Sequence, residues 1–151
     1  MRLRRECRAL RGNPVREAAA DGKQIVQYSF STGKQTAVLF DVATVRGATL
    51  SSIDGYIISP DGRRMLIQTA THRIYRHSFT ATYYIYTLAN NKLEPLSDGG
   101  PQQTPVWSPD GKHLAWISME RDGYEADAQR IMVADVDSSE ESGGRSFGLS
   151  F

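Results

Sequence analysis

From Lys23 onward the apolar residues of this chain come in short runs, alternating with polar ones or unbroken for a few positions, and Gly, Asp, Asn or Ser closes each run. That punctuation predicts strands joined by tight turns, with no sustained three-and-four spacing of a helix. Tyr56-Ile57-Ile58 leads into Ser59-Pro60-Asp61-Gly62 and then Met65-Leu66-Ile67. Val106-Trp107 leads into Ser108-Pro109-Asp110-Gly111 and then Leu114-Ala115-Trp116-Ile117. Each unit reads as a hairpin: proline presets φ, aspartate can bond its own backbone, and glycine accepts the positive φ. A second hairpin type interleaves with the first. It runs from Ile25 to Phe30, turns at Ser31-Thr32-Gly33 and returns from Lys34 to Leu39. It recurs as Tyr83 to Leu88, Ala89-Asn90-Asn91 and Lys92 to Leu96. A third copy starts at Ile131 to Val136 and gives way to a Ser/Gly-rich run.

Two such hairpins make a four-stranded antiparallel sheet, and sheets recurring every 40 to 50 residues or so are the blades of a β-propeller. From Ser59 to Ser108 is 49 positions. The expected fold is therefore all-β, an incomplete propeller of about two to three blades. Residues 21–137 hold a half blade at about 21–41, a full blade at 53–97 and an incomplete one at 104–137. Residues 1–20 are expected to be a basic, disordered start, and 138–151 a disordered tail. A propeller needs about four to eight blades to close, so the chain is expected to be a piece of a longer gene.

Composition changes this picture little. Hydrophobic residues make up 40% of the chain and charged residues 23%, with a formal net charge of +1, so no polyanionic partner is required. Six arginines crowd the first sixteen residues, but no aromatic residue interleaves them for base stacking, and a solvated arm is favoured over nucleic-acid binding. Cys7 is the single cysteine, which rules out an intrachain disulfide and a Cys-rich metal site. Neither an export signal nor a membrane span is expected, and no cofactor or metal.

The stretch from Asp54 to Gly62, continued by Ile74-Tyr75-Arg76-His77-Ser78-Phe79-Thr80-Ala81-Thr82 and the Tyr83-Tyr84-Ile85-Tyr86 run, resembles the first propeller blades of dipeptidyl peptidase IV, in the prolyl oligopeptidase family. Gly22 to Phe30 with Thr32-Gly33-Lys34-Gln35 is similar to bacterial members, and the likeness spans roughly residues 20 to 117. Met119 to Asp127 looks more like other bacterial dipeptidyl or acylaminoacyl peptidases of the superfamily. The resemblance implies that the chain belongs to the substrate-gating propeller of a serine exopeptidase acting on short peptides, with Ser, Asp and His on an α/β-hydrolase domain missing from this chain. The chain alone is then not an enzyme, and the parent is expected in the periplasm or cell envelope, where it could form a homodimer. A non-enzymatic binding scaffold of the cell envelope is the alternative, because Ser-Pro-Asp-Gly turns occur in many propellers.

Arg76 is the one candidate site residue, for substrate binding. The resemblance implies that its guanidinium enters the substrate cavity and holds a peptide carbonyl, a role suited to a planar, permanently charged donor. His77 and Ser78 read as turn and strand-entry residues. Paired glutamates select a free amino terminus in the family, but Glu140-Glu141 lack the flanking aromatics of that motif and read as solvated tail. Glu120, Glu125 and Asp127 read as a hairpin loop. Tyr83, Tyr84, Tyr86, Trp107 and Trp116 read as inter-blade core with their polar tips bonded. Gly144-Arg145-Ser146-Phe147-Gly148 matches the Gly-x-Ser-x-Gly elbow, yet His72, His77 and His113 all precede it and no acid follows. No catalytic residue is assigned.

Overall fold

A computed structural model describes residues 14–73, 79–98, 101–118 and 130–136, together with the backbone of 146–150. Among the described residues every regular element is a strand. The first sheet contains β1 (Val15–Ala18), β2 (Gln24–Tyr28) and β3 (Gln35–Asp41) in sequential order. The second contains β4 (Gly55–Ile58), β5 (Arg64–Arg73), β6 (Phe79–Thr87) and β7 (Lys92–Pro95). The third contains β8 (Gln102–Trp107), β9 (His113–Ser118), β10 (Arg130–Asp135) and β11 (Ser146–Ser150). Neighbours within each sheet run antiparallel, and a single residue pair, Ala81 opposite Gln102, joins β6 of the second sheet to β8 of the third. The fold is an incomplete propeller: successive meanders that do not close into a ring.

The Ser-Pro-Asp-Gly turns form as their residue types dictate. The Ser59 hydroxyl donates to the Asp61 carboxylate at 2.5 Å and accepts the Arg64 N–H at 3.0 Å, and Asp61 also accepts the Arg63 N–H at 3.0 Å. Ser108, Asp110, Lys112 and His113 repeat the arrangement at the next turn. These bonds to the ionised oxygen hold both carboxyls below the usual range, the serine hydroxyl contributing most and the backbone N–H next.

The core lies between the sheets, in two layers. Ile25 and Phe40 of the first sheet meet Met65, Ile67, Tyr86 and Leu93 of the second, with Phe40 edge-on to Tyr86 at a ring separation of 5.0 Å. Leu66, Ala81, Tyr83 and Leu96 on the opposite side of the second sheet meet Trp107, Leu114, Trp116 and Val136 of the third. Successive strand residues point to opposite faces, so the unbroken run Met65-Leu66-Ile67 feeds both layers. That run is apolar because its sheet is covered on both sides. The free edge of β7 is capped by the β3–β4 connection, through Arg46 N–H to Asn91 O at 2.9 Å and Leu93 N–H to Arg46 O at 2.7 Å.

Two stretches expected to be disordered contain strands. Val15–Ala18 pairs with β2 across a turn in which Asp21 accepts the Lys23 N–H at 3.0 Å, giving the first sheet a third strand. Ser146–Ser150 pairs with β10 from Ala134 to Arg130, completing four strands in the third sheet. In both cases an otherwise open row of backbone donors and acceptors finds a partner, and that backbone demand outweighs the weak strand preference of the residues involved.

Candidate functional site

The hairpin of β5 and β6 is the longest among the described residues, and it overshoots its own sheet. β4 pairs only with Met65 to Gln68, so residues 69–73 of β5 have β6 alone as a ladder partner. Pairing continues to Arg73 opposite Phe79. The connection between them, residues 74–78 with Arg76, His77 and Ser78, lies outside the described residues, as do Glu120, Glu125, Asp127, Glu140 and Glu141.

Side chains beneath it hold the overshooting hairpin in place. The register shifts between Thr69 and His72, and Ala70 there has a φ of 50°, a left-handed conformation costing an L-residue roughly 1–2 kcal/mol. Asp54 clamps that bulge by accepting the Thr71 N–H at 2.9 Å, while the Gln68 side-chain amide donates to the Thr71 hydroxyl at 2.8 Å. The Thr69 hydroxyl donates to Ser52 O at 3.3 Å. Across the seam the fully buried Gln102 accepts the Tyr83 N–H at 3.0 Å through its side-chain oxygen. A second bulge, between Gln103 and Val106 with Thr104 at a φ of 48°, lies on the other side of the same seam. Burial raises the pKa of the Tyr83 phenol, whose hydroxyl faces Gln68 Oε1 at 3.5 Å.

Topology sets which loops share a rim. The β5–β6 hairpin ends at Arg73 and Phe79, and the β9–β10 hairpin ends at Ser118 and Arg130. Both ends point away from the Ser-Pro-Asp-Gly turns. Gln102 pairs with Ala81 of the second sheet and with Ser118 of the third, so the two hairpin ends are neighbours. The described ends Arg73 and Phe79, and Ser118 and Arg130, thus stand side by side on one rim.

The tyrosines and tryptophans divide in their bonding. Tyr83, Tyr86, Trp107 and Trp116 are buried in the inter-sheet layers, as expected of core, and the Tyr86 hydroxyl donates to Asn91 Oδ1 at 2.8 Å. The buried indole N–H groups of Trp107 and Trp116 find no hydrogen-bond partner among the described residues, contrary to expectation, and the side chains clustered around them are chiefly apolar. Ser146 starts strand β11 opposite Ala134, and the chain continues extended to Ser150. A nucleophile elbow turns from strand into helix, so this geometry is not one. Among the described residues no group of three His, Cys, Asp or Glu side chains could hold a metal ion, and no helix is long and apolar enough to cross a membrane. Two shallow depressions, of about 350 and 400 Å³, lie beside the β2–β3 turn (Tyr28, Phe30) and at the open end of the β5–β6 hairpin (Arg64, Thr87), away from the Arg73–Phe79 end.

Residues 59–122, which take in the overshooting hairpin and the whole of the third sheet's first two strands, match the family model of the dipeptidyl peptidase IV (DPP IV) N-terminal region. Over this segment the chain is similar to that region. The chain is 42% identical over 90 residues to dipeptidyl-peptidase 5 of Porphyromonas gingivalis, covering 57% of this chain and 13% of that protein. It is 33% identical over 94 residues to human prolyl endopeptidase FAP, covering 62% of this chain and 12% of that protein. The crystal structure of P. gingivalis dipeptidyl peptidase 4 superposes with a TM-score of 0.77 at 28% identity, over 93% of this chain and 18% of that one. The chain therefore spans roughly an eighth of the curated relatives it matches, and the matched part is N-terminal propeller rather than a whole peptidase.

Proposed function

We propose that this chain is a substrate-handling part of a dipeptidyl peptidase IV-like serine exopeptidase, gating and orienting short peptides without itself breaking a bond. The observation that carries the reading is the match of residues 59–122 to the DPP IV N-terminal region, centred on the hairpin that overshoots its sheet. On this reading Arg76, held between Arg73 and Phe79, donates from its guanidinium to a carbonyl oxygen of the bound peptide. The nucleophile, its histidine and its acid would come from an α/β-hydrolase domain of the same peptidase, working in the periplasm or cell envelope.

Two measurements test it. The chain incubated with a chromogenic dipeptidyl substrate should give no turnover; turnover that Ser146→Ala abolishes would overturn the reading. Titration of the labelled chain with a short proline-containing peptide should shift backbone signals at Thr71 to Arg73 and Phe79 to Ala81, and Arg76→Ala should remove those shifts. Equal shifts in Arg76→Ala would reject the role of that side chain.

A further inference from the structure

The bulge in β5 decides which side chain stands at the free end of the hairpin. Thr69 lies opposite Thr82, but His72 lies opposite Thr80, so Ala70 and Thr71 together face the single residue Ala81. One extra residue on one strand exchanges the two faces for every residue of that strand beyond it. With the bulge, Arg73 stands opposite Phe79. An unbroken ladder from the Thr69–Thr82 pair would instead set His72 there and carry Arg73 past the last pair.

Residues directly opposite in an antiparallel ladder share a face, and so do residues two apart on one strand. Phe79 therefore lies on the face of Ala81 and Tyr83, the side packed against the third sheet. Arg73 joins it there, and His72 goes with Thr80 to the other side. Both Arg73 and Phe79 are exposed, the ring to 39%, on the rim shared with Ser118 and Arg130. A permanently charged guanidinium beside an exposed ring suits a peptide, whose carbonyl and carboxylate oxygens accept from the one and whose apolar side chains pack on the other.

The bulged register is held from outside the hairpin. Ala70 has a φ of 50° in it, a conformation that an L-residue resists. Three bonds from the segment ahead of β4 offset that resistance. Asp54 accepts the Thr71 N–H at 2.9 Å, its own N–H donates to Gln68 O at 2.7 Å, and Ser52 O accepts the Thr69 hydroxyl at 3.3 Å. Of these, the Asp54 carboxylate is the one that bonds a residue inside the bulge. We propose that Asp54 is a positioning residue and that Arg73 is what it positions, set beside Phe79 to donate to an acceptor oxygen of a short peptide. This assignment rests on the substrate-handling reading above and adds Arg73 to that site.

The test uses the full chain, with glycylprolylalanine as the peptide. Cross-strand nuclear Overhauser contacts read the register, and titration reads the affinity. Asp54→Ala should replace the Arg73–Phe79 contact by His72–Phe79 and weaken peptide binding about ten-fold. Asp54→Asn, whose side-chain oxygen still accepts, should keep both register and affinity. Ala70→Gly added to Asp54→Ala should restore them, because glycine takes a positive φ without a clamp. Arg73→Gln should show the same loss of affinity with the register intact, and Asp54→Ala added to it should lose no more. His72→Ala should bind as the wild type does. If Asp54→Ala does not fold, its rescue by Ala70→Gly decides the role of Asp54, and Arg73→Gln decides that of Arg73. An unmoved register in Asp54→Ala, no rescue by glycine, or wild-type affinity in Arg73→Gln would each overturn the proposal and leave the substrate-handling reading in place. A wild-type chain that binds no peptide would overturn both.

Discussion

Replacing Gly111 by alanine should cost more than replacing Gly62, although both occupy the same place in equivalent turns. Their backbones are nearly identical, with φ of 72° and 71°. The conformational term, about 1–2 kcal/mol for an L-residue in the left-handed region, is therefore common to both. The surroundings are not. A Cβ at Gly62 meets nothing within 4 Å, whereas one at Gly111 lies 3.1 Å from the Asp61 carboxyl carbon and 3.3 Å from each carboxylate oxygen. Asp61 cannot swing away freely, because its carboxylate is held by the Ser59 hydroxyl and the Arg63 N–H. Giving way would weaken one or both of those bonds, each worth about 0.5–1.5 kcal/mol or more when charged. Gly62→Ala is thus expected to lose about 1–2 kcal/mol and Gly111→Ala about 2–3 kcal/mol. Urea unfolding of both variants at unchanged m-value measures the difference, and a double-mutant cycle with Asp61→Ala should recover it as a coupling of about 1 kcal/mol. Equal losses in the two glycine variants, or no coupling to Asp61, would refute the close approach of neighbouring turns.

Two further outcomes follow from the polar contacts. Asp61 and Asp110 are held below the usual carboxylate range, chiefly by Ser59 and Ser108, so each contributes stability that is fully present above the unfolded carboxyl pKa and is lost as pH falls through the lower folded value. Urea midpoints should therefore fall on acidification below about pH 4, and the Ser59→Ala, Ser108→Ala variant should show a shallower fall. Gln102→Leu should cost about 1–3 kcal/mol by stranding the buried Tyr83 N–H, and should speed hydrogen exchange at Tyr83 before it affects Met65 or Ile67 in the other layer.

The turns were legible in the sequence because their geometry is local. Pro-Asp-Gly and Asn-Asn dictate backbone angles over four residues, and β4–β5, β6–β7 and β8–β9 turn where those residues stand. β1 was hidden because Val-Arg-Glu-Ala has one strongly apolar residue and lies mostly exposed. Its stability comes from the ladder to β2, though Asp21-Gly22 is the same kind of turn signal as Asp61-Gly62. β11 was masked by Ser/Gly composition, even though Ser146-Phe147-Gly148-Leu149-Ser150 alternates with a period of two. Gln102 could not be read at all. A glutamine before Gln-Thr-Pro looks like loop, and its burial makes sense only against a backbone N–H nineteen residues earlier.

These differences bear on how a propeller divides its two rims. On one rim the Ser-Pro-Asp-Gly turns are fixed by bonds within the turn and by Asp61 standing against Gly111, so a change in one turn is felt in the next. On the other rim the β5–β6 hairpin leaves its sheet, and its root is held by Asp54 and Gln68 at the bulge and by Gln102 on the Tyr83 N–H. The described ends of two hairpins on that rim, Arg73 with Phe79 and Ser118 with Arg130, stand where a propeller can change what it binds while keeping its fold.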